Sequence, residues 1–223
     1  MNQHHFHREI EEMYAGIARL GGMVEEAIGK AMSAVVKGDV ELAKEVRAGD
    51  DAIDKLEVEL EERCLAILAL YQPVARDLRF LVTALKVNNE LEHIGDLAES
   101  IARKSKSIPR SKAENSPMEL FQMGKETQKM VSLALDALLK EDSQKAKEVI
   151  HMDDRIDGYH RKHHQIVENR IEHVDKEISN AELKMLSVSR SLERIADLAT
   201  SIAEDVVYFV DATIVRHRPP ETD

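Results

Sequence analysis

Apolar residues recur at spacings of three and four along most of this 223-residue chain, which is the pattern of amphipathic α-helices. Prolines occur only at positions 73, 109, 117, 219 and 220, so the stretches between them can form long helices. The periodicity predicts six helices, at about Ile10–Val35, Val40–Tyr71, Val74–Ser105, Met118–Leu139, Ser143–Val174 and Ala181–Val215. The pattern therefore predicts an all-α fold.

Turn-forming and capping residues mark the predicted ends of these helices. Gly38 supplies a stop, and Asp39 is a suitable N-cap for the second helix. Pro73 separates the second helix from the third. Further turns are predicted at Glu141–Asp142 and Asp175–Asn180, and the predicted caps of the last two helices are Asp142 or Ser143 and Ser179 or Asn180.

The two halves of the chain are related by an internal repeat. Residues 90–102 and 191–203 are identical at nine of thirteen positions. This similarity predicts two tandem three-helix bundles that arose by duplication. The predicted division is a first bundle at 1–108, a polar linker at 109–117, a second bundle at 118–218 and a tail at 219–223. The expected core stripes of the matched helices are Phe80, Ala84, Val87, Leu91, Ile94, Ala98 and Ile101, and Ala181, Met185, Val188, Leu192, Ile195, Ala199 and Ile202.

Composition narrows the classes of function. The chain has 42 acidic and 31 basic residues and a formal net charge of −11, which argues against nucleic acid as a partner. Its few aromatic residues, glycines and prolines agree with a helical fold. No apolar run is long enough to span a bilayer, and the first residues do not resemble a signal peptide. We therefore expect a cytoplasmic protein that does not insert into the membrane.

Four pairs of acidic residues, each spaced by four positions, are the strongest chemical signal. Such spacing places both carboxylates on one face of a helix, where like charges repel by about 0.2–0.5 kcal/mol. Their recurrence at matching places suggests that a cation compensates them. The eight residues are Asp50, Asp54, Glu92 and Asp96 in the first repeat, and Asp153, Asp157, Glu193 and Asp197 in the second.

The positions of these pairs predict that they face each other. In the first repeat the two pairs are equally distant from Pro73, and in the second they are equally distant from Asp175, where a turn is predicted. In an antiparallel hairpin the two pairs of each repeat therefore lie at the same height. An all-oxygen set of this kind suits Mg²⁺, Mn²⁺, Ca²⁺ or iron, whereas zinc more often recruits Cys or His.

Histidines offer weaker candidate ligands. Glu90 and His93 form an E-x-x-H motif, but the second copy has Ser191 and Arg194 at the matching positions. We interpret His93 as a surface residue beside the carboxylates. His160, His163 and His164 are expected on a solvated helix face, and His4, His5 and His7 at a frayed terminus.

The remaining polar features do not indicate catalysis. The chain has no G-x-S-x-G motif, P-loop or glycine-rich phosphate cradle, so we predict that it is not an enzyme. Cys64, the only cysteine, lies in an apolar stretch and is expected in the core. Arg76, Asp77 and Arg79 follow Pro73. Asp77 could cap the third helix there, or the three residues could form a contact surface at one tip.

The sequence resembles the PhoU family of phosphate-uptake regulators. The resemblance rests on the tandem three-helix organisation, on the four E/D-x-x-x-D motifs, and on residues 72–79 (Gln-Pro-Val-Ala-Arg-Asp-Leu-Arg) leading into Glu92–Asp96. It covers about residues 6–213. The second copy departs from the family pattern at Ala196 and Leu198, where Gly and His are common.

This resemblance implies a regulatory function and a set of partners. Family members are cytoplasmic, often dimeric, and bind iron or other metals through the acidic motifs. They dampen phosphate import and phosphate-starvation signalling. The implied partners are a phosphate-sensing histidine kinase and the ATPase of the phosphate ABC transporter, through which the protein could sit at the membrane.

Two other functions stay open from the residues alone. The facing carboxylates are also typical of a metal-carboxylate oxidoreductase or a metal-storage protein built in a helical bundle. The acidic faces could alternatively be solvated surfaces of a helical adaptor that binds no metal.

Overall fold

The computed structural model describes residues 2–108, 118–171 and 176–215. Over these ranges the chain forms six helices and no strand. The predicted linker at 109–117 and the tail at 219–223 lie outside the described residues. The helices are α1 (Asn2–Lys37), α2 (Val40–Tyr71), α3 (Ala75–Ser105), α4 (Met118–Lys140), α5 (Ser143–Ile171) and α6 (Lys176–Asp211). None of these is long and apolar enough to cross a membrane.

Two of the predicted caps are confirmed. The Asp39 carboxylate accepts hydrogen bonds from the backbone N–H groups of Glu41 and Leu42 at the start of α2. Asp142 does the same at the start of α5, where its Oδ1 accepts from the N–H groups of the second and third helical residues. Gly38 and Glu141 have positive φ angles, so the chain reverses there between antiparallel helices.

Several predicted helix ends are wrong. α1 begins at Asn2 and not at Ile10, so His4, His5 and His7 are helical. α6 begins at Lys176, which places Ser179 and Asn180 inside the helix and not at its cap. The polar residues in both segments cost only about 0.5 kcal/mol each relative to Ala, and neither segment contains Gly or Pro to stop a helix.

The other differences concern single helix ends. α6 ends at Asp211 because Ala212 adopts a φ of 55°. α5 is described to Ile171, and the rest of its predicted length lies outside the described residues. Of the two alternatives for Asp77, capping of α3 is not observed, because the N-cap position is Val74, which makes no side-chain capping bond.

Each repeat packs as a three-helix bundle, and the two bundles share one core. α1, α2 and α3 contact one another, as do α4, α5 and α6, while α3 packs on α6 and α1 on α4. All fourteen residues of the two predicted core stripes are buried. Burial of apolar surface at about 25 cal/mol per Å² is the main stabilising contribution to such a bundle.

The two repeats meet along their third helices, which run antiparallel. Arg79 Nε donates to the Phe209 carbonyl at one end of this contact, and Lys104 Nζ approaches the Ser187 carbonyl at the other. Ile94 and Ile195, which the internal alignment equates, therefore lie at the same level in the middle. The repeats are thus related by an approximate two-fold axis between α3 and α6.

Candidate metal centres and the cleft between the repeats

The four acidic residues of the first repeat lie together, as the sequence predicts. Burial raises the pKa of Asp50 to about 6, and the next contributions come from Asp54 on its own helix and from Asp96, Glu99 and Glu92 on α3. Burial and the neighbouring Asp96 also raise the pKa of Glu92. These mutual effects require the carboxylates of α2 and α3 to be close in space, and they oppose ionisation of all of them at once.

Close approach of α2 and α3 depends on Gly95. A Cβ at this position would lie 3.2 Å from Ile53 Cγ2 and 3.8 Å from Asp50 Oδ1. A glycine therefore lets the two acidic helix faces come together at the level of the motifs. The second repeat has the larger Ala196 at the matching position, and it is fully buried.

The second repeat repeats this arrangement with one additional feature. Burial, followed by Asp197 and Asp157, raises the pKa of Asp153 to about 6. Burial and Glu193 raise the pKa of Asp197, while the nearby Arg194 lowers it. Asp153 Oδ1 is buried and has no hydrogen-bond partner. The Thr200 hydroxyl lies close enough to lower the pKa of Asp153, but it completes no hydrogen bond.

The chemistry of these donors fits a hard cation, although the side chains are not preorganised around one. Each set consists of carboxylate oxygens, and the buried, unpartnered Asp153 Oδ1 is a free acceptor. Nevertheless, within the described ranges no three His, Cys, Asp or Glu side chains are arranged to hold a metal ion. Chelation would therefore require rotation of side chains on the paired helices.

A cleft of about 620 Å³ brings the two repeats' acidic motifs together. Asp50 and Asp96 line it from the first repeat and Asp197 from the second. Glu99 also lines it and forms ion pairs with Arg47 at 3.0 Å and Arg103 at 3.3 Å. Sequence reasoning missed Glu99, although its spacing of three from Asp96 and seven from Glu92 places it on the same helix face.

The histidines differ in their surroundings. His93 is exposed, and its Nε2 lies 3.7 Å from Glu92 Oε2, so its prediction as a surface residue is confirmed. The predicted solvated face of α5 is wrong for His163, which is 1% exposed and faces the second bundle's core. His160 Nδ1 is in hydrogen-bond contact with Ser189 Oγ at 3.0 Å. His160 and His164 are both half-buried, and His164 Nδ1 lies 3.2 Å from Glu168 Oε2.

Cys64 lies in the core, as predicted. Its side chain is fully buried, and its Sγ is 3.4 Å from the Leu81 carbonyl oxygen. Burial raises the pKa of this thiol to about 12. The thiol is therefore unreactive in the folded protein.

The polar cluster after Pro73 joins the repeats and borders an exposed apolar tip. Arg76 forms an ion pair with Glu141 in the α4–α5 turn, and Arg79 donates to the Phe209 carbonyl. Asp77 remains exposed. Near it, Leu70 and Val74 are each 74% exposed and line a groove with Asp77. We call this region the apolar tip.

Comparisons with known proteins agree with this architecture. The family model of the PhoU domain matches twice, at residues 17–105 and 120–206. A Pseudomonas aeruginosa protein described as a phosphate-specific transport system accessory protein PhoU homolog is 36% identical over 95% of this chain and 88% of its own length. A protein of the same description from Aquifex aeolicus is 37% identical over 95% of both chains.

Solved structures give the same result. The crystal structure of PhoU from Pseudomonas aeruginosa has a TM-score of 0.86 and 33% identity, over 93% of this chain and all of that one. That of the phosphate transport system regulatory protein PhoU from Streptococcus pneumoniae has a TM-score of 0.85 and 28% identity, over 94% of this chain and 99% of that one. Both repeats match the domain model, and the relatives are similar over nearly their whole length. The chain therefore belongs to the PhoU family.

Proposed function

We propose that this protein is a regulatory accessory subunit of phosphate-specific transport, and that it is not an enzyme. It lowers phosphate uptake and the phosphate-starvation response by docking to the ATPase of the phosphate ABC transporter and to a phosphate-sensing histidine kinase. The observation that carries the proposal is the match of both repeats to relatives named for this system. It acts in the cytoplasm as a homodimer and reaches the membrane through its partners.

The proposal includes metal ions at the acidic motifs. Burial first, and then the neighbouring carboxylates, raise the pKa values of Asp50 and Asp153, and a divalent or trivalent cation in each repeat would stabilise their ionised forms. Iron, manganese and magnesium suit the oxygen donors, and zinc suits them less well. The carboxylates of α2 and α3 would hold one site, and those of α5 and α6 the other.

The apolar tip supports a docking role. Exposed apolar side chains at one end of an otherwise charged bundle are typical of a protein interface. We propose that Leu70, Val74 and Asp77 contact a partner, while Arg76 and Arg79 hold the tip against the second repeat.

Deletion of the gene tests the regulatory role. We expect a strain that lacks it to take up phosphate in excess and to express phosphate-starvation genes in phosphate-rich medium. The wild-type gene should restore control, and Leu70→Ser/Val74→Ser should fail to do so. Leu183→Ser is the matched control, because Leu183 is 51% exposed in the second repeat and away from the tip. Unchanged phosphate uptake in the deletion strain would contradict the proposal.

A further inference from the structure

The outer face of α2 carries an exposed apolar stripe. Val58 is 49% exposed and Leu65 is 51% exposed, and Ala69 is exposed one turn further along the helix. These residues are spaced by seven and four positions, so they lie within about 40° of one another around the helix axis. Leu60 and Cys64 lie on the opposite side of α2 and are buried. We call Val58, Leu65 and Ala69 the α2 stripe.

The α2 stripe continues into the apolar tip. Leu70 directly follows Ala69 at the end of α2 and is 74% exposed. From Val58 to Leu70 the helix rises by about 18 Å, at 1.5 Å per residue. The result is a straight apolar surface about three turns long on the outside of a helix. A second helix can cover such a surface side by side, as helices pack in bundles.

Carboxylates border the α2 stripe on both sides. Glu61 lies on one side of it and Glu62 on the other, and both are exposed. Over the described residues 55–70, three glutamates (Glu59, Glu61 and Glu62) are exposed against one exposed lysine, Lys55. The half-buried arginine of this stretch faces α1, where it pairs with two carboxylates. The α2 stripe therefore lies in an acidic surround.

The matching face of the second repeat is not apolar. Alignment of the acidic motifs equates Val58 with Arg161 and Leu65 with Glu168. Both residues of the second repeat are exposed, and Arg161 forms an ion pair with Asp157 on its own helix. The same bundle thus folds with charged side chains at these positions. The fold therefore does not require apolar side chains there.

We propose that the α2 stripe, together with Leu70, binds an amphipathic helix of a protein partner that carries lysine or arginine beside its apolar face. The apolar face of this helix covers the stripe, and its basic residues pair with Glu61 and Glu62. Charged pairs beside an apolar seam determine which helices associate and in which orientation. The inference rests on the proposed docking role and adds the chemistry of the docked segment.

The charges around the α2 stripe disfavour other occupants. A second copy of this chain, docked by the same face, would bring Glu61 and Glu62 of both chains together, where like charges repel. A membrane surface of anionic lipids would repel the same carboxylates. A basic amphipathic helix complements both the apolar and the acidic parts of this surface.

Selection from a peptide library tests the charge of the docked helix. The displayed helical peptides are about 18 residues long, or five turns, with a fixed leucine face and Lys, Glu or Gln at each position beside it. Peptides are selected on the immobilised full-length protein, and those that also bind Val58→Ser/Leu65→Ser are discarded. We expect lysine to dominate the variable positions. On Glu61→Lys/Glu62→Lys the same selection should favour glutamate.

Fluorescence anisotropy of a selected lysine-flanked peptide measures its affinity. Val58→Ser and Leu65→Ser should each weaken binding by about three- to tenfold, because each removes apolar surface from the contact. Val40→Ser is the matched control, because Val40 is 43% exposed on the same face of α2 but about 27 Å away along the helix, and it should leave the affinity unchanged. Added NaCl should weaken binding. All three side chains are exposed, so the variants should keep the circular dichroism of wild type.

Several results would overturn this inference. One is a selection that leaves no peptide, and another is a set of peptides whose variable positions favour glutamate or show no preference. Equal affinity of the peptide for wild type, Val58→Ser and Leu65→Ser would also overturn it. So would sedimentation equilibrium in which wild type self-associates and Val58→Ser/Leu65→Ser does not, because the occupant would then be a second copy of this chain.

The test is separate from that of the regulatory role. The deletion strain tests regulation without reference to the α2 stripe. Loss of phosphate control in that strain, together with no peptide binding at the stripe, would remove this inference and leave the proposed function standing.

Discussion

Replacing Asp153 by asparagine should stabilise the metal-free protein. The carboxylate is half-buried beside Asp157 and Asp197, and its Oδ1 has no hydrogen-bond partner. Raising its pKa from 3.8 to about 6 corresponds to about 3 kcal/mol of unfavourable free energy at pH 7. Because solvent screens a half-exposed carboxylate, we take about half of this, or about 1.5 kcal/mol.

The sign of the pH dependence follows from the direction of the shift. Above pH 6 the carboxyl is ionised in both folded and unfolded chains, and the folded protein carries the full penalty. As the pH falls from about 6 to 3.8, the folded protein binds the proton first, so the penalty diminishes. The advantage of Asp153→Asn should therefore be greatest at neutral pH and nearly absent at pH 4.

Urea unfolding followed by circular dichroism, with EDTA present, measures this difference. Asp154→Asn is the matched control, because Asp154 is exposed and contributes least to the Asp153 pKa; we expect it to change stability by less than about 0.5 kcal/mol. With saturating Mn²⁺ the wild-type protein should become more stable to urea than Asp153→Asn, since binding of the metal ion stabilises wild type more than the variant. A variant no more stable than wild type at pH 7.5 without metal would refute the electrostatic argument.

Three further changes test the packing. Gly95→Val should lower stability by about 1–3 kcal/mol in thermal unfolding, because its side chain would collide with Ile53; wild-type stability would contradict the role given to this glycine. Ile94→Ala, at the centre of the contact between the repeats, should lower the free energy of unfolding by about 2–5 kcal/mol. A decrease below about 0.5 kcal/mol, as for a surface residue, would argue against that contact. The Cys64 thiol should react with a thiol reagent only after denaturation, and rapid labelling of the native protein would contradict its burial.

Local sequence signals predict much of the fold because helix breakers act locally. Gly38, Asp39 and Pro73 end or begin helices where the sequence predicts, and Asp142 caps as expected. The predicted start of α6 at Ser179 or Asn180 is wrong because these residues, although good N-caps, are only weak helix breakers. The residues before them also favour a helix, so α6 begins earlier, at Lys176.

The sequence also predicts which carboxylates form each of the two acidic sites, because this too depends on local spacing. Spacing of four within a helix and equal distance from a turn determine which carboxylates of one hairpin meet. The packing of one repeat on the other is not encoded in such spacings, so the sequence does not predict that Lys104 lies over Ser187 and Ser191. His163 faces the core of its own bundle, and the alignment of the acidic motifs equates it with Leu60, which is also buried; its burial therefore follows from the repeat and not from the polarity of histidine.

Metal analysis of the untagged protein tests the central claim that the acidic motifs of both repeats bind cations. Elemental analysis of wild type should give stoichiometric metal. The double variant Asp50→Asn/Asp96→Asn should lose the metal bound by the first repeat, and Asp153→Asn/Asp197→Asn should lose the metal bound by the second. Wild-type protein that binds no metal after incubation with Fe²⁺ or Mn²⁺, or an unchanged content in both double variants, would contradict the account.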